Sequence, residues 1–369
     1  MSAVYVHLPW CEQKCPYCDF NSHVREQRSE ADYVRALIND LAVDAEFVHH
    51  PVTTIFFGGG TPSLFAPDSI EKILQGIDQK IGIAHDAEIT LEANPGSAEQ
   101  AKFAGFKAAG VNRLSIGVQS FNDEHLQILG RIHDAEHAHQ AVAKAKAAGF
   151  DRINVDLMHG LPHQSVAQAQ DDLHQALGLD CEHLSWYQLT LEPNTAFYKH
   201  PPPLPAEDTL ADIQEAGQQL LNQQGFQAYE VSAWSQAGAE CRHNENYWKF
   251  GDYLGIGAGA HGKITHQGRI LRSQKTRMPD SYLAHYATGA PHRFSTVDRD
   301  QLPFEFMLNQ LRLRRGCDED HFEAATGLAI QTIAPALKLA RQRGLMEPAR
   351  LQATALGWRY LNDLVEHFL

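Results

Sequence analysis

The chain has 369 residues, of which 43% are hydrophobic, and it carries a formal net charge of −14. This length fits one large domain plus a smaller one, and the acidic balance argues against general nucleic-acid binding, which needs a basic face. There is no apolar run of about 18 residues and no opening segment of the secretory type. We therefore expect a cytoplasmic protein without an integral membrane segment.

Short β-rich runs alternate with helical stretches from residue 3 to about residue 190, which is typical of a parallel α/β sheet. Helices are predicted to begin near Ser29, Pro67, Ser97, Asp134 and Ser165, several of them suitable N-cap residues. Strands are predicted over residues 4–7, 53–57, 88–92, 113–118, 152–157 and 184–191. Six such units predict an α/β fold of the partial (βα)6, TIM-like type, in which the carboxyl ends of the strands face the active site.

A cluster of cysteines follows the first predicted strand. Cys11, Cys15 and Cys18 have the spacing C-x3-C-x2-C, and thiolates this close suit an iron–sulfur cluster. A zinc site completed by His7 or His23 is one alternative, and a disulfide framework, which needs an oxidising compartment, is another. The other three cysteines have no partner spacing and are predicted to be packing residues: Cys181, Cys241 and Cys317.

The ends of the next strands carry residues that suit a polar ligand. Residues 57–62, Phe-Gly-Gly-Gly-Thr-Pro, let the backbone approach a ligand closely. Glu92 ends the third strand, Gln119 the fourth and Asp156 the fifth, and Arg131 lies twelve residues after Gln119. Each residue alone could serve a structural hydrogen bond. Together they indicate a bound ligand, because a core without one would not tolerate so many polar groups.

The remaining sequence divides into an extension and a small C-terminal domain. We predict domains at 1–295 and 296–369, the second mainly helical and winged-helix-like. Winged helices often bind nucleic acid, but acidic residues offset the arginines here, so no nucleic-acid partner is expected. The helices are predicted over 207–223, 301–314, 328–342 and 357–368.

A histidine-aromatic motif lies in the extension, at residues 243–248 (His-Asn-Glu-Asn-Tyr-Trp). A histidine ahead of an aromatic pair can serve as an axial haem ligand flanked by rings. A capped turn with buried aromatic side chains explains the same pattern. Residue chemistry leaves both interpretations open.

Four segments together resemble the oxygen-independent coproporphyrinogen III oxidase-like group of radical S-adenosylmethionine (SAM) proteins. They lie at residues 5–20, 57–62, 113–121 and 156–162, and the resemblance covers essentially the whole chain. Within the group the chain is more similar to the haem chaperones than to the coproporphyrinogen dehydrogenases. Phe20 stands where the dehydrogenases have a fourth cysteine, only ten residues precede Cys11, and the H-N-x-x-Y-W pattern is typical of the chaperones.

The resemblance implies cofactors and their ligands. Cys11, Cys15 and Cys18 would hold a [4Fe-4S] cluster whose open iron binds SAM, and in radical SAM enzymes the reduced cluster cleaves SAM to a 5′-deoxyadenosyl radical. His243 would bind haem. The positions that match SAM contacts in the dehydrogenase are Tyr5, Gly59, Gly60, Thr61, Glu92, Gln119, Arg131 and Asp156.

The function that the resemblance implies is that of a haem chaperone, which binds haem and delivers it to haem-requiring proteins such as respiratory enzymes. The alternative is a SAM-dependent dehydrogenase that converts coproporphyrinogen III to protoporphyrinogen IX by oxidative decarboxylation of its propionates. A third option is radical modification of another tetrapyrrole or of a macromolecule. The expected partners are haem and acceptor proteins, and a homodimer is also expected.

Overall fold

The structure is a computed structural model that describes residues 2–24, 29–287 and 294–369. A 12-stranded sheet dominates it, and a second, two-stranded sheet lies at the cysteine loop. Among the helices in these three ranges, none combines the length and the apolar character needed to cross a membrane.

The strands alternate with helices over most of the chain. Along the large sheet their order is β14-β13-β12-β11-β1-β4-β5-β6-β7-β8-β10-β9. Their bounds are β1 (Ser2–Leu8), β2 (Trp10–Cys11), β3 (His23–Val24), β4 (Val52–Gly59), β5 (Ile83–Ala93), β6 (Arg113–Gln119), β7 (Arg152–His159), β8 (His183–Gln188), β9 (Gln227–Ala228), β10 (Ala233–Ser235), β11 (Asp252–Ile256), β12 (His261–His266), β13 (Arg269–Gln274) and β14 (Phe294–Thr296).

The six predicted parallel strands are confirmed. Strands β1, β4, β5, β6, β7 and β8 lie side by side in chain order, and each neighbouring pair is parallel. Because these parallel strands follow chain order, right-handed crossovers place the connecting helices on one face, the outside of the barrel. The outermost strands, β14 and β9, each have a single neighbour in the sheet of the described residues, so the barrel is open as predicted.

The sequence predicts six parallel strands, and the described residues form seven. Strand β11 pairs with the other side of β1 in parallel register, and β12, β13 and β14 extend the sheet in antiparallel order. Strand β11 is short and contains Gly255, and glycine is unfavourable in strands. Gly255 is needed because a Cβ there would lie 1.9 Å from the carbonyl oxygen of His261 on β12.

Sixteen helices connect and flank these strands within the described ranges. Short 3-10 segments at Ala45–Phe47, Pro62–Leu64 and Ile330–Ile333 accompany them. The helices are α1 (Glu30–Asp44), α2 (Pro67–Ile81), α3 (Ser97–Gln100), α4 (Phe103–Ala108), α5 (Asp123–Ile128), α6 (Ala135–Ala147), α7 (Val166–Gly178), α8 (Ala196–Lys199), α9 (Glu207–Gln223), α10 (Arg242–Trp248), α11 (Pro279–Tyr286), α12 (Leu302–Gln310), α13 (Glu319–Thr326), α14 (Ala334–Gln342), α15 (Ala355–Arg359) and α16 (Leu361–Glu366).

All five predicted helix starts in the barrel are confirmed. The side chains of Ser29, Asp134 and Ser165 accept hydrogen bonds from backbone N–H groups of the first turns of α1, α6 and α7. Pro67 and Ser97 are the first residues of α2 and α3. Each cap satisfies a backbone donor that the helix itself leaves unpaired.

The C-terminal helices are shorter than predicted. Helix α12 ends at Gln310, and the predicted helix over 328–342 begins only at Ala334, because Pro335 favours the first turn of a helix. The helix predicted over 357–368 is divided at Tyr360 into α15 and α16. Helix α13 was not predicted.

Buried apolar side chains form two large clusters. One fills the barrel, and the other lies among the C-terminal helices and includes Phe250 and Ile270 from the extension. Isolated antiparallel bridges, Cys317 with Leu351 and Met346 with Ala353, give this part a minimal wing beside its helices. The domain boundary between residues 295 and 296 stays a prediction.

Candidate functional site

The cysteine loop leaves the carboxyl end of β1. Strands β2 and β3 pair where the loop begins and ends. Within it, Lys14 Nζ donates to the carbonyl oxygens of Phe20 (3.4 Å) and Ser22 (3.3 Å), and the backbone N–H of Cys18 donates to the carbonyl of Cys15 (3.2 Å). These bonds hold three partly exposed thiols on one short, folded loop.

A cavity of about 150 Å³ lies against this loop, and Cys11, Cys15 and Cys18 all line it. Tyr5 lines a neighbouring, larger cavity instead. The structure therefore brings the cysteines together with residues from the ends of successive strands, as the barrel prediction requires. Seven of the eight predicted SAM contacts line the small cavity: Gly59, Gly60, Thr61, Glu92, Gln119, Arg131 and Asp156.

The two alternatives for the cysteines gain no support. All six cysteines are free, so no disulfide framework exists. The two histidines suggested as a fourth zinc ligand are engaged elsewhere: His7 Nε2 bonds the carbonyl of Asn21 (2.9 Å), and His23 Nε2 lies 3.3 Å from Asn21 Oδ1.

The glycines at the end of β4 and directly after it are required by the protein's own packing. A Cβ on Gly60 would lie 2.6 Å from the carbonyl oxygen of Trp10, and one on Gly59, whose φ is +116°, would lie 2.6 Å from the ring of His7. The N–H of Gly60 also donates to the carbonyl of Leu8 (2.8 Å). These contacts press the glycine loop against the cysteine loop, which places both loops at the same cavity.

Two partly buried carboxyl groups, those of Glu92 and Asp156, face the cavity. Burial, with repulsion from Asp156 as a second cause, raises the pKa of Glu92 from 4.5 to about 8, although the N–H of Gly59 donates to it at 3.2 Å. Burial also raises the pKa of Asp156, against hydrogen bonds from Asn154 Nδ2 (2.7 Å) and Ser115 Oγ (3.2 Å). A cationic ligand would stabilise both carboxylates.

Arg131 joins the cysteine loop to the strand ends. Its guanidinium donates to Asn94 Oδ1 (2.6 Å) and to the carbonyl of Gly117 (2.8 Å), and Nη1 lies 3.6 Å from Cys15 Sγ. Its buried Nε has no hydrogen-bond partner in the described part of the chain. Gln119, with φ of +72°, accepts a hydrogen bond from the hydroxyl of Tyr187 (2.8 Å).

These residues fit an iron–sulfur cluster with SAM. Three thiols supply soft ligands, and the guanidinium of Arg131 places a positive charge beside them. Among the described residues, the buried Nε of Arg131 has no hydrogen-bond partner, and no cationic side chain acts on the carboxyl of Glu92. The cavity thus offers anionic, donor and thiol groups, which match the ammonium, carboxylate and iron of a SAM–cluster pair.

The raised pKa of Glu92 predicts a pH-dependent stability in protein that holds no SAM. The pKa of Glu92 in the folded state is about 8, above its ordinary 4.5. The contribution of Glu92 to the free energy of unfolding is therefore full at low pH and is lost as the pH rises toward 8. We expect the free energy of unfolding of wild type to fall more between about pH 5 and about pH 8 than that of Glu92→Gln. Urea unfolding at a series of pH values measures this difference. If the unfolding free energies of the two proteins change in parallel with pH, burial does not keep Glu92 protonated.

A larger cavity, of about 630 Å³, adjoins the small one. Phe20, Gly59 and Glu92 line both cavities, and the Phe20 side chain is 66% exposed. The volume lies within the range of roughly 300–1,000 Å³ that is typical of cofactor sites. Its wall is rich in aromatic rings: Tyr5, Phe20, Tyr247, Trp248, Phe250 and Tyr253.

The predicted haem ligand, His243, lies inside the protein and lines neither cavity. The residue is 1% exposed, its Nδ1 lies 2.9 Å from Thr54 Oγ1, and its Nε2 lies 2.8 Å from the hydroxyl of Tyr247. Burial lowers its pKa to about 3. Both ring nitrogens are thus engaged, so iron binding by His243 would require the ring to leave its two hydrogen bonds, and this role stays a prediction.

Several residues of the two cavities were not predicted. Tyr187 contacts Gln119 from β8, and Phe20 was noted only for standing in place of a cysteine. His261, the first residue of β12, and Arg277, in the segment after β13, line the larger cavity. The one sequence indication for His261 is its position after the glycine-rich run at residues 255–259, where a tight turn precedes a strand.

Comparisons with known proteins agree with this geometry. A model of the radical SAM superfamily matches residues 5–176, and one of the HemN C-terminal domain matches residues 297–360. The chain is 48% identical to the heme chaperone HemW of Escherichia coli (strain K12), over 100% of this chain and 98% of that protein. It is 47% identical to the heme chaperone HemW of Haemophilus influenzae, over 100% of this chain and 97% of that protein.

The fold also matches a solved structure. The radical SAM enzyme coproporphyrinogen III oxidase (HemN) from Escherichia coli superposes with a TM-score of 0.84, over 100% of this chain and 89% of that one. The sequences are 24% identical. At this level of sequence identity, the similarity shows a shared fold, including the open barrel and the C-terminal helical part.

Proposed function

Since this chain belongs to the heme chaperone HemW family of radical SAM proteins, we propose that it binds haem and delivers it to proteins that require haem. The observation that carries this proposal is the aromatic cavity of about 630 Å³. Haem is a flat aromatic ring with two carboxylate side chains, so a ring-lined cavity with basic residues suits it. Acceptors such as respiratory enzymes, a cytoplasmic location and a homodimer are parts of the same proposal.

In this proposal the small cavity holds a [4Fe-4S] cluster and SAM. Cys11, Cys15 and Cys18 hold the cluster, and the bound pair supplies one-electron chemistry. The protein's own residues orient the ligand: Glu92 and Asp156 accept hydrogen bonds from its cationic or hydroxyl groups. Arg131, fixed by Asn94, offers a positive charge beside the cysteine loop.

The two cavities are placed to influence each other. Phe20 and Glu92 belong to both walls, so a ligand in one cavity contacts side chains that contact the other ligand. A change in the cysteine loop on cluster binding would therefore reach the haem cavity through Phe20. This supports a dependence of haem binding or haem release on the cluster.

The second candidate function is the oxidation of coproporphyrinogen III, which the shared fold with HemN favours. An anaerobic turnover assay separates the two functions. Protein with an intact cluster is incubated with reductant, SAM and coproporphyrinogen III, and the products are separated by chromatography. We expect no protoporphyrin above the level of a control without protein, whereas many turnovers of protoporphyrin would make the protein a dehydrogenase.

A further inference from the structure

Two hydroxyl groups hold the imidazole of His243 in the core. Its Nδ1 lies 2.9 Å from Thr54 Oγ1, and its Nε2 lies 2.8 Å from the hydroxyl of Tyr247. The ring also stacks on Phe56, with the ring centroids 5.2 Å apart. Both nitrogens are therefore satisfied inside the protein, whereas a histidine that binds iron must offer it a free ring nitrogen.

The two hydroxyl groups come from different parts of the fold. Thr54 lies in the middle of the large sheet, where β4 pairs with both β1 and β5, so its position is fixed by the barrel. Tyr247 lies one helical turn after His243 on α10. Tyr247 also lines the larger cavity, so this side chain contacts both the buried imidazole and the space in which we propose that haem binds.

The backbone at the start of α10 is held independently of the imidazole. The N–H of His243 donates to Glu88 Oε1 (3.2 Å), and Glu88 is a buried residue of β5. This bond does not involve the ring. The ring can therefore leave its core position by rotation about the side-chain bonds, while α10 stays in place.

We propose that Thr54 and Tyr247, called here the hydroxyl pair, keep His243 in the core of haem-free protein, and that haem binding requires both hydrogen bonds to open so that the ring turns into the larger cavity. This inference rests on the proposed function, in which His243 binds the haem iron. Thr54 and Tyr247 are then positioning residues, which set the fraction of the protein that is ready to bind haem.

The hydroxyl pair lowers the apparent affinity for haem, because only the fraction of protein with a released ring can bind iron. Removal of either hydroxyl leaves a ring nitrogen without its partner in the core, which destabilises the core position relative to the released one. One hydrogen bond corresponds to a change of about two- to tenfold in such an equilibrium. We therefore expect the released fraction and the haem affinity to rise together.

Chemical modification of haem-free protein that carries its cluster tests the hydroxyl pair without haem. Diethyl pyrocarbonate modifies accessible imidazoles, and mass spectrometry of peptides follows each histidine separately. We expect His243 to react about two- to tenfold faster in Thr54→Val and in Tyr247→Phe than in wild type, because each change removes a hydroxyl and keeps the shape of the side chain. His261, which is exposed, is expected to react at the same rate in all three proteins.

Anaerobic titration of the same proteins with ferric haem, followed at the Soret band, tests the consequence for binding. We expect Thr54→Val and Tyr247→Phe to bind haem about two- to tenfold more tightly than wild type, with an unchanged Soret position. Thr90→Val is the matched control. Thr90 is 0% exposed on β5, and its hydroxyl has no hydrogen-bond partner among the described residues, so this variant is expected to match wild type in both experiments.

The outcomes separate the inference from the proposed function. Equal reaction rates of His243 in wild type, Thr54→Val and Tyr247→Phe would overturn the inference, while haem binding by wild type would leave the proposed function in place. Weaker haem binding in either variant would also overturn the inference, because that hydroxyl would then stabilise the bound state. Wild-type protein that carries its cluster and binds no haem would overturn the proposed function and, with it, the role of the hydroxyl pair in haem binding.

Discussion

Replacing Cys15 by alanine is expected to abolish assembly of the iron–sulfur cluster. Cys15 lines the small cavity with Cys11 and Cys18, and a cluster held by three thiolates has no spare protein ligand to replace one. Anaerobic reconstitution followed by iron and sulfide analysis is expected to fall from about four iron atoms per chain to less than about one. The broad visible absorbance of the cluster is expected to disappear with the iron.

Cys181→Ala is the matched control for this prediction. Cys181 is buried at 3% exposure in the main core, just before β8 and far along the chain from the cysteine loop, and its loss removes only a small packed group. The variant is expected to reconstitute with the iron content of wild type. Full iron content in Cys15→Ala, or loss of iron in Cys181→Ala, would show that the cluster is held elsewhere.

Replacing Lys275 by methionine is expected to cost about 3–5 kcal/mol of unfolding free energy. The Lys275 ammonium lies 2.6 Å from Asp40 Oδ1 and 2.9 Å from Asp44 Oδ2, and all three side chains are 0% exposed. Its removal takes this cation away from two buried carboxyl groups of α1, which is costly in a low-dielectric interior. Urea unfolding followed by tryptophan fluorescence measures the change.

Asp40 of this ion pair also holds the turn that precedes β12. Asp40 Oδ2 accepts a hydrogen bond from the N–H of Gly257 (3.1 Å), in the turn that leads to His261. Lys146→Met is the control, because Lys146 pairs with Asp180 at 3.4 Å on the exposed surface, where such pairs contribute roughly 0–1 kcal/mol. Equal losses of unfolding free energy in both variants would show that the buried ion pair is no more important for stability than the exposed one.

The barrel could be predicted because the sequence patterns that indicate its strands and helices each lie within a short stretch of the chain. Apolar runs bounded by caps such as Ser165 mark each βα unit, and parallel strands necessarily bring their carboxyl ends to one edge. The sequence alone therefore predicts that Glu92, Gln119 and Asp156 lie close together, although they are far apart in the chain. The C-x3-C-x2-C spacing likewise needs only a short loop.

The orientation of His243 could not be predicted, because it depends on contacts far away in sequence. The H-N-x-x-Y-W pattern is compatible with a ring that faces a cavity or one that faces the core. In the structure, the hydrogen bond between His243 and Thr54, 189 residues away, holds the ring in the core. Strand β11 was missed for the same reason: its pairing with β1 joins residues about 250 positions apart. The larger cavity is formed only when β11 and β12 are added to the barrel.

Haem titration of the anaerobically reconstituted wild-type protein is the direct test of whether the protein with its cluster binds haem. Protein with its cluster is mixed with increasing ferric haem, passed through a desalting column, and the haem retained per chain is measured together with the Soret difference spectrum. We expect one retained haem per chain, with a saturating Soret change. Protein that carries its full iron–sulfur content and yet retains no haem would contradict the account.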